Sequence, residues 1–276
     1  MQKERVSENV YWFQSDIYAR VTAGAIIGPQ WAVLIDTLMP EETPYIKHFL
    51  ESELMIPVRY VINTHHHADH SWGNCLFPDA TIIGHDLCRH YMVERSTSAL
   101  AEAIEGGADF KDICIMPPDI TVSNGSLFLR IGKKQIQIFS SPGHSDDSIS
   151  VLLEEDKILF AGDSFMPIPF FVGGDFDILL STLQRFGEMS LENVIQGHGD
   201  IILRGEIEEK IQSNVDYLNY VKKIVRLANR RRYPYDFLAQ QDIEDAGKNR
   251  ILLGGIADAL HQRNLAWLYY KTFSED

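Results

Sequence analysis

The sequence predicts an α+β protein with sheets inside and helices outside. β-branched and aromatic runs of strand length recur between polar or Gly-Pro punctuation. Segments with apolar residues at helical spacing interrupt them. The 276 residues are 45% hydrophobic and 23% charged, enough apolar material for a sizeable core. No Gly/Ser-rich or Pro-rich stretch in the middle resembles a flexible linker, so residues 1–276 read as a single domain in which 205–276 form a helical extension.

In chain order, VYWFQ (10–14), RVTAGAII (20–27) and WAVLID (31–36) are strands of an opening meander. Pro40-Glu41-Glu42-Thr43 starts a helix with Ile46, Phe49 and Leu50 on one face, and Pro57 precedes the apolar strand Val58 to Ile62, completing a β-α-β unit. From 84 to 116 the text is helical and irregular. Short strands return at 120–123, 126–131, 134–140, 148–153 and 157–161. Helices at 176–189 and 205–230 flank a strand at 193–196, and 247–272 closes the chain as one helix through Leu252, Leu253, Ile256, Leu260, Leu265 and Leu268. Packing helices over buried sheets is the layer solution for such an order.

Lys plus Arg number 25 against 39 Asp plus Glu, a formal charge of −14, which argues against a partner held through a phosphate backbone. The expected partner is a small molecule rather than nucleic acid or a membrane. Residues 1–13 are charged from the third position and have no apolar core of a signal peptide, and no run approaches membrane-span length, so the expected compartment is the cytoplasm. Cys75, Cys88 and Cys114 form no Cys-x-x-Cys pair and read as packed thiols.

Four of the ten histidines fall within six residues, in Thr64-His65-His66-His67-Ala68-Asp69-His70, directly after an apolar strand. His-x-His-x-Asp-His arises by chance on the order of once in a thousand such chains. On an extended backbone His65, His67 and Asp69 converge on one side while His66 and Ala68 point away. Imidazole nitrogen and carboxylate oxygen together suit Zn²⁺, with iron or manganese open alternatives in the absence of a cysteine ligand. Three more sites place a polar donor beside glycine at the end of an apolar run: Gly143-His144, Gly162-Asp163 and Gly197-His198.

In these motifs and their order, over roughly residues 9 to 205, the chain resembles the metallo-β-lactamase superfamily. The resemblance implies a four-layer αββα sandwich with two divalent metal ions at one edge of its sheets. It implies a first metal on His65, His67 and His144 and a second on Asp69, His70 and His198, with Asp163 bridging. Asp36 matches a position that supports the metal loop, where its role is to orient an imidazole. Asp163 stands where true β-lactamases carry Cys or Ser, and a carboxylate there is the pattern of glyoxalase II-like thioesterases, lactonases and phosphodiesterases.

Two metals that share a hydroxide support hydrolysis, with Asp69 as the catalytic group that orients the nucleophile or takes its proton. An ester, thioester or lactone of a small, partly apolar metabolite is the expected substrate; phosphodiester hydrolysis and mononuclear iron chemistry are the rivals. Ser145 and Ser164 lack a free histidine and are not read as nucleophiles. Asp146 and Asp147 fit either a catalytic role or a turn, and His66, His48, His85, His90 and His261 read as structural. The run Phe165-Met166-Pro167-Ile168-Pro169-Phe170-Phe171 offers Phe165, Met166, Phe170 and Phe171 as an apolar pocket wall, with core or dimer contact as its plainer reading. Residues 86–118, with Tyr91, Met92 and Met116, are a candidate lid. The C-terminal helices either complete the pocket or form the face of a homodimer.

Overall fold

A computed structural model describes residues 1–273; the last three residues of the expected extension, 274–276, lie outside the described residues. The strands are β1 (Gln2–Ser7), β2 (Val10–Gln14), β3 (Thr22–Ile27), β4 (Ala32–Ile35), β5 (Val58–Ile62), β6 (Thr81–His85), β7 (Ile120–Val122), β8 (Ser126–Ile131), β9 (Lys134–Ser140), β10 (Ile149–Leu153), β11 (Ile158–Gly162), β12 (Asn193–Gln196) and β13 (Ile202–Leu203). The α-helices are α1 (Thr43–Lys47), α2 (Ala68–Ser71), α3 (Asp86–Tyr91), α4 (Thr97–Glu105), α5 (Phe176–Gly187), α6 (Ile207–Ala228), α7 (Pro234–Leu238) and α8 (Ala257–Phe273).

β1 to β7 form one sheet in chain order, antiparallel from β1 to β4 and parallel from β4 to β7. The second sheet runs β13-β12-β11-β10-β9-β8 and is antiparallel except for β11 with β12. Alternation along the strands builds the layers. Val33, Ile35, Ile62 and Ile83 of the first sheet meet Ile136, Ile138, Val151, Ile158 and Phe160 of the second in a shared core. The intervening Leu34, Val61 and Ile82 face outward onto Ile46, Phe49 and Leu50. On the far side Leu159, Ala161 and Val194 pack against α5, α6 and α8 through Leu183, Phe186, Leu218, Val221 and Leu265. The order is helix, sheet, sheet, helix, the expected αββα sandwich.

Three expectations are revised. The closing helix begins only at Ala257, because Leu253, Gly254 and Gly255 adopt left-handed backbone (φ 56°, 73° and 93°) that breaks the chain away from a helical path. β1 was not foreseen, since QKERVS is polar and mostly exposed; it is an edge strand, where charge blunts further pairing. β6 lies just ahead of the irregular segment, and β13 has two residues, too short for an alternation signal.

Candidate metal centre

The donors sit at strand ends along one edge of the sandwich. His65 and His67 follow β5, His144 follows β9, Asp163 follows β11 and His198 follows β12. Thr22 N donates to Gly197 O at 2.8 Å, and Val21 bridges to His198, tying the two sheets together at this edge. The His-x-His-x-Asp-His run is not extended throughout. His67 is extended (φ −62°, ψ 152°) and caps α2, so Asp69 and His70 lie on a helical turn. Asp69 therefore leaves the side of His65 and His67 and joins a different group, correcting the expected convergence of those three.

Two donor groups result. His65, His67, His144 and Asp163 form one, and Asp69, His70 and His198 the other, each offering ligand atoms within 4.8 Å of one another. His67 Nδ1 lies 2.9 Å from His65 Nε2 and 3.1 Å from His144 Nε2. Asp163 stands between the groups: Oδ2 is 3.3 Å from His144 Nε2 and 3.7 Å from His65 Nε2, while Oδ1 is 3.3 Å from His70 Nε2 and 3.4 Å from His198 Nε2. Asp69 Oδ2 is 3.5 Å from His198 Nε2 and 3.8 Å from His70 Nε2. Gly197 makes room for this carboxylate, since a Cβ there would lie 1.9 Å from Asp163 Oδ1, and Gly162 (φ 52°) makes room for Thr64, since a Cβ there would lie 2.7 Å from its Oγ1.

In four of the five donor histidines the other ring nitrogen is already engaged, which aims the facing one inward. His70 Nδ1 meets Asp36 Oδ2 at 2.8 Å, His144 Nδ1 meets Phe170 O at 2.7 Å, and His198 Nδ1 meets Ala19 O at 2.9 Å. His65 Nδ1 reaches Thr64 Oγ1 at 3.1 Å, whose hydroxyl donates to Asp36 Oδ2. Asp36 thus supports two imidazoles, and its Oδ1 also accepts from Thr64 N at 2.7 Å. An acceptor on one nitrogen fixes the tautomer that leaves a lone pair on the other. His70 Nε2 and Asp163 Oδ1 are buried without a hydrogen-bond partner, a costly state that a cation between them relieves. These residues fit a metal.

Electrostatics agree. Burial pushes His65 and His67 well below the usual imidazole range, with neighbouring imidazoles adding to it, so both are neutral donors. Burial opposes charge on His70 and His198, but Asp163 and Asp69 outweigh it and raise both. Burial likewise opposes charge on Asp163, yet His198, His70 and His144 hold it well below the carboxylate range. Asp36 is raised by burial, which His70 and Thr64 only partly offset.

The loop around the donors is clamped by Asp147, which accepts from His66 N at 2.8 Å and pairs with His66 Nδ1 at 3.1 Å. Its role is to position the loop. Asp146 instead accepts from the Tyr91 hydroxyl at 2.8 Å. Ser164 Oγ donates to Ser141 O, and Ser145 Oγ pairs with Ser148 Oγ, so neither is set up as a nucleophile.

A cavity of about 340 Å³ opens over both groups, lined by His67, Asp69, His144, Asp163 and His198 and walled by Tyr18, Met166, Phe170, Leu253, Ile256, Leu260 and Arg263. Met166 and Phe170 take the expected places. Phe165 and Phe171 do not: with Ile168 they turn into the core against α5 and α6, while Met166 and Phe170 between them turn to the cavity. Residues 86–118 contribute nothing to the wall. Met92 is fully buried, Met116 packs on the core, and Tyr91 stops at His66, so the lid expectation is replaced by walls from residues 18–19 and the C-terminal segment. Tyr18 and Arg263 went unnoticed in sequence. Tyr18 is raised by the charge of Asp69 and by burial, and stays a protonated donor. Arg263 lies 4.9 Å over the Phe170 ring.

An αββα sandwich with a His/Asp metal-binding group at the edge of its sheets defines the class. A family model described as the metallo-beta-lactamase superfamily matches residues 20–229, and the chain belongs to that superfamily. Among curated relatives, the cytoplasmic isozyme of hydroxyacylglutathione hydrolase from Saccharomyces cerevisiae is 28% identical over 172 residues, 58% of this chain and 57% of the relative. The lactamase-like protein nscB from Arthroderma benhamiae is 30% identical over 187 residues, 65% of this chain and 36% of the relative. The chain thus spans about half or less of the length of these relatives. In three dimensions it resembles a metallo-beta-lactamase from Pontibacter korlensis, with a TM-score of 0.63 at 20% identity over 76% of this chain and 97% of that one. Similarity at that identity speaks to the fold alone.

Proposed function

We propose that the chain is a dinuclear metal-dependent hydrolase that cleaves an ester, thioester or lactone of a small, partly apolar metabolite. The observation that carries this reading is Asp163, whose two oxygens each face a different histidine group. Such a carboxylate suits two divalent ions, Zn²⁺ by its nitrogen and oxygen donors, held by His65, His67 and His144 on one side and by Asp69, His70 and His198 on the other. When bound, such a pair supplies an activated water and polarises the carbonyl it attacks.

The remaining work belongs to the chain. Asp69 borders the cavity and is partly open to it, placed to orient a water and accept its proton. Tyr18 lines the same cavity with a hydroxyl that the charge of Asp69 keeps protonated. Met166, Phe170, Leu253, Ile256 and Leu260 exclude water and favour an acyl or aromatic portion. Arg263 is the single cation among the described residues of this wall, which favours an ester, thioester or lactone over a phosphodiester. On this reading the substrate is a small molecule met in the cytoplasm.

Elemental analysis coupled to a screen of aryl esters, thioesters, lactones and bis-aryl phosphodiesters tests the proposal. The expected result is two ions per chain and turnover of a carbonyl substrate that a chelator abolishes and Zn²⁺ restores. One iron per chain with no hydrolysis of any ester overturns it.

A further inference from the structure

Of the three cysteines expected to be packed thiols, only Cys88 is one, buried with its Sγ 3.8 Å from Met92 Sδ. Cys75 is half-buried and Cys114 is exposed. Cys75 lies in the 3₁₀ turn Trp72–Leu76 that follows α2, and Cys114 lies in residues 106–119, which form neither helix nor strand between α4 and β7.

These two segments are packed together on both sides of the cysteines. The Trp72 and Phe110 rings meet edge to face at 5.9 Å, Ile113 and Ile115 join the same apolar cluster, and Asn74 Nδ2 donates to Met116 O at 2.9 Å. Between those contacts the Cys75 sulfur faces both the backbone N–H and the thiol of Cys114, close enough for each to act on it. The pair sits behind the donor loop. Asn74, next to Cys75, exchanges hydrogen bonds of 3.0 and 2.8 Å with Asn63, and Asn63 Nδ2 also donates to His70 O at 3.2 Å.

The structure assigns Cys75 and Cys114 as a thiol–disulfide exchange site, a reversible staple that joins residues 106–119 to the turn behind the donor loop. Its partner is a small-molecule disulfide of the glutathione type. The exposed Cys114, as thiolate, attacks one sulfur of that disulfide, forming a mixed disulfide and releasing the first small thiol. The Cys75 thiolate then attacks the Cys114 sulfur, which forms the Cys75–Cys114 bond and releases the second. The two cysteines lose two electrons and two protons, and both leave on the small thiols, so the exchange balances without another reactant. Because residues 106–119 carry no regular structure, the sulfurs can close to bonding distance without moving α2 or β5. A bond that forms and reverses is the form a close cysteine pair takes in a reducing compartment. No donor of the metal centre takes part, so the assignment does not depend on what that centre hydrolyses.

Treating the full-length, metal-loaded protein with oxidised glutathione tests it, read by thiol counting, peptide mass mapping and thermal unfolding. Free thiols are expected to fall from three to one per chain, with the peptides that carry Cys75 and Cys114 joined. Closing this loop should raise the melting temperature by roughly 3–8 °C over the reduced protein, and dithiothreitol should reverse all three changes. Cys75→Ser should stop at one glutathionyl group on Cys114, and neither it nor Cys114→Ser should gain heat stability on oxidation. Three free thiols in the oxidised wild type, a mixed disulfide on Cys114 that Cys75 never resolves, or a joined pair with no rise in melting temperature overturns the assignment.

Discussion

Two buried networks in this chain each hold a histidine with an unpartnered ring nitrogen and differ in consequence. At the sheet edge, imidazoles converge on carboxylates, and His70 Nε2 and Asp163 Oδ1 lack hydrogen-bond partners. In the C-terminal layer, His261 is fully buried and also has an unpartnered Nε2, yet among the described residues no carboxylate or second imidazole pairs with it, and Asp258 and Asp242 act on it only through their charge. Its Nδ1 instead pairs with the Tyr217 hydroxyl at 3.1 Å, which accepts from Asn264 Nδ2 at 3.0 Å. Asn264 also donates to Pro169 O at 2.7 Å and accepts from Phe171 N at 3.2 Å, gripping the backbone on either side of Phe170. A buried histidine with a free nitrogen is a ligand candidate only where negative charge and further donors meet it; elsewhere it is a neutral strut.

The sharpest break in the comparison is Asp163→Ala against His261→Ala. Removing the shared carboxylate is expected to lower turnover by about a thousandfold or more and empty at least one metal position, while circular dichroism stays native, since loss of a ligand disrupts the centre more than the core. His261→Ala is expected to keep its metal. Full metal content and activity in the Asp163 variant would remove it from the centre.

Asp36→Ala comes next. It leaves every donor in place but frees His70 and Thr64, and a loss of roughly 10–100-fold in metal affinity is expected from a competitive chelator titration. Affinity equal to wild type would mean that the ring is held by packing alone.

In the second network, Asn264→Leu breaks its bonds to Pro169 O and Phe171 N, and chemical denaturation should show about 1–3 kcal/mol of lost stability. Because this frees Phe170 and not a donor, KM should rise with metal content unchanged. A metal-depleted variant would join the two networks into one.

The same network carries a pH signature. Burial lowers His261 to about 4, below its unfolded value of about 6.5. Below pH 6.5 the unfolded chain binds more protons than the folded one, so stability falls as pH drops toward 4, by roughly 2 kcal/mol. Denaturation of the wild type and His261→Gln between pH 7 and 4 should show a slope steeper by this amount in the wild type, since His65 and His67, also held low by burial, contribute to both proteins alike. Equal slopes would place the titration elsewhere. Smallest is Arg263→Ala at the mouth of the cavity: a rise in KM of roughly threefold to tenfold for substrates bearing a carboxylate, with kcat nearly unchanged.

The difference between the networks also explains how much could be read in the sequence. Each donor sits beside glycine or in the His-rich run at a strand end, a short-range pattern that spacing and small neighbours expose. The αββα layers follow from uninterrupted apolar strands such as AVLI and ILFAG, which are buried on both faces and so need a layer on each side. The cavity wall has no such mark. Leu260 and Arg263 line the cavity from α8, while His261, Asn264 and Leu265 of the same helix are buried, so no single apolar stripe identifies the working face. Phe165 and Phe171 misled for a related reason: composition cannot say which residues of an irregular segment turn inward. The split of the His-rich run between extended chain and helical turn depends on α2, four residues long and below the reach of periodicity.

The left-handed break at Leu253, Gly254 and Gly255 separates the chain into a part that carries the donors and a part that carries much of the wall. Substitutions on the cavity-facing side of α8 can accumulate without touching a donor or a strand. Selection can therefore change what this scaffold accepts while its chemistry stays fixed, and chains sharing the donor set but diverging after residue 250 are expected to differ in substrate before they differ in reaction.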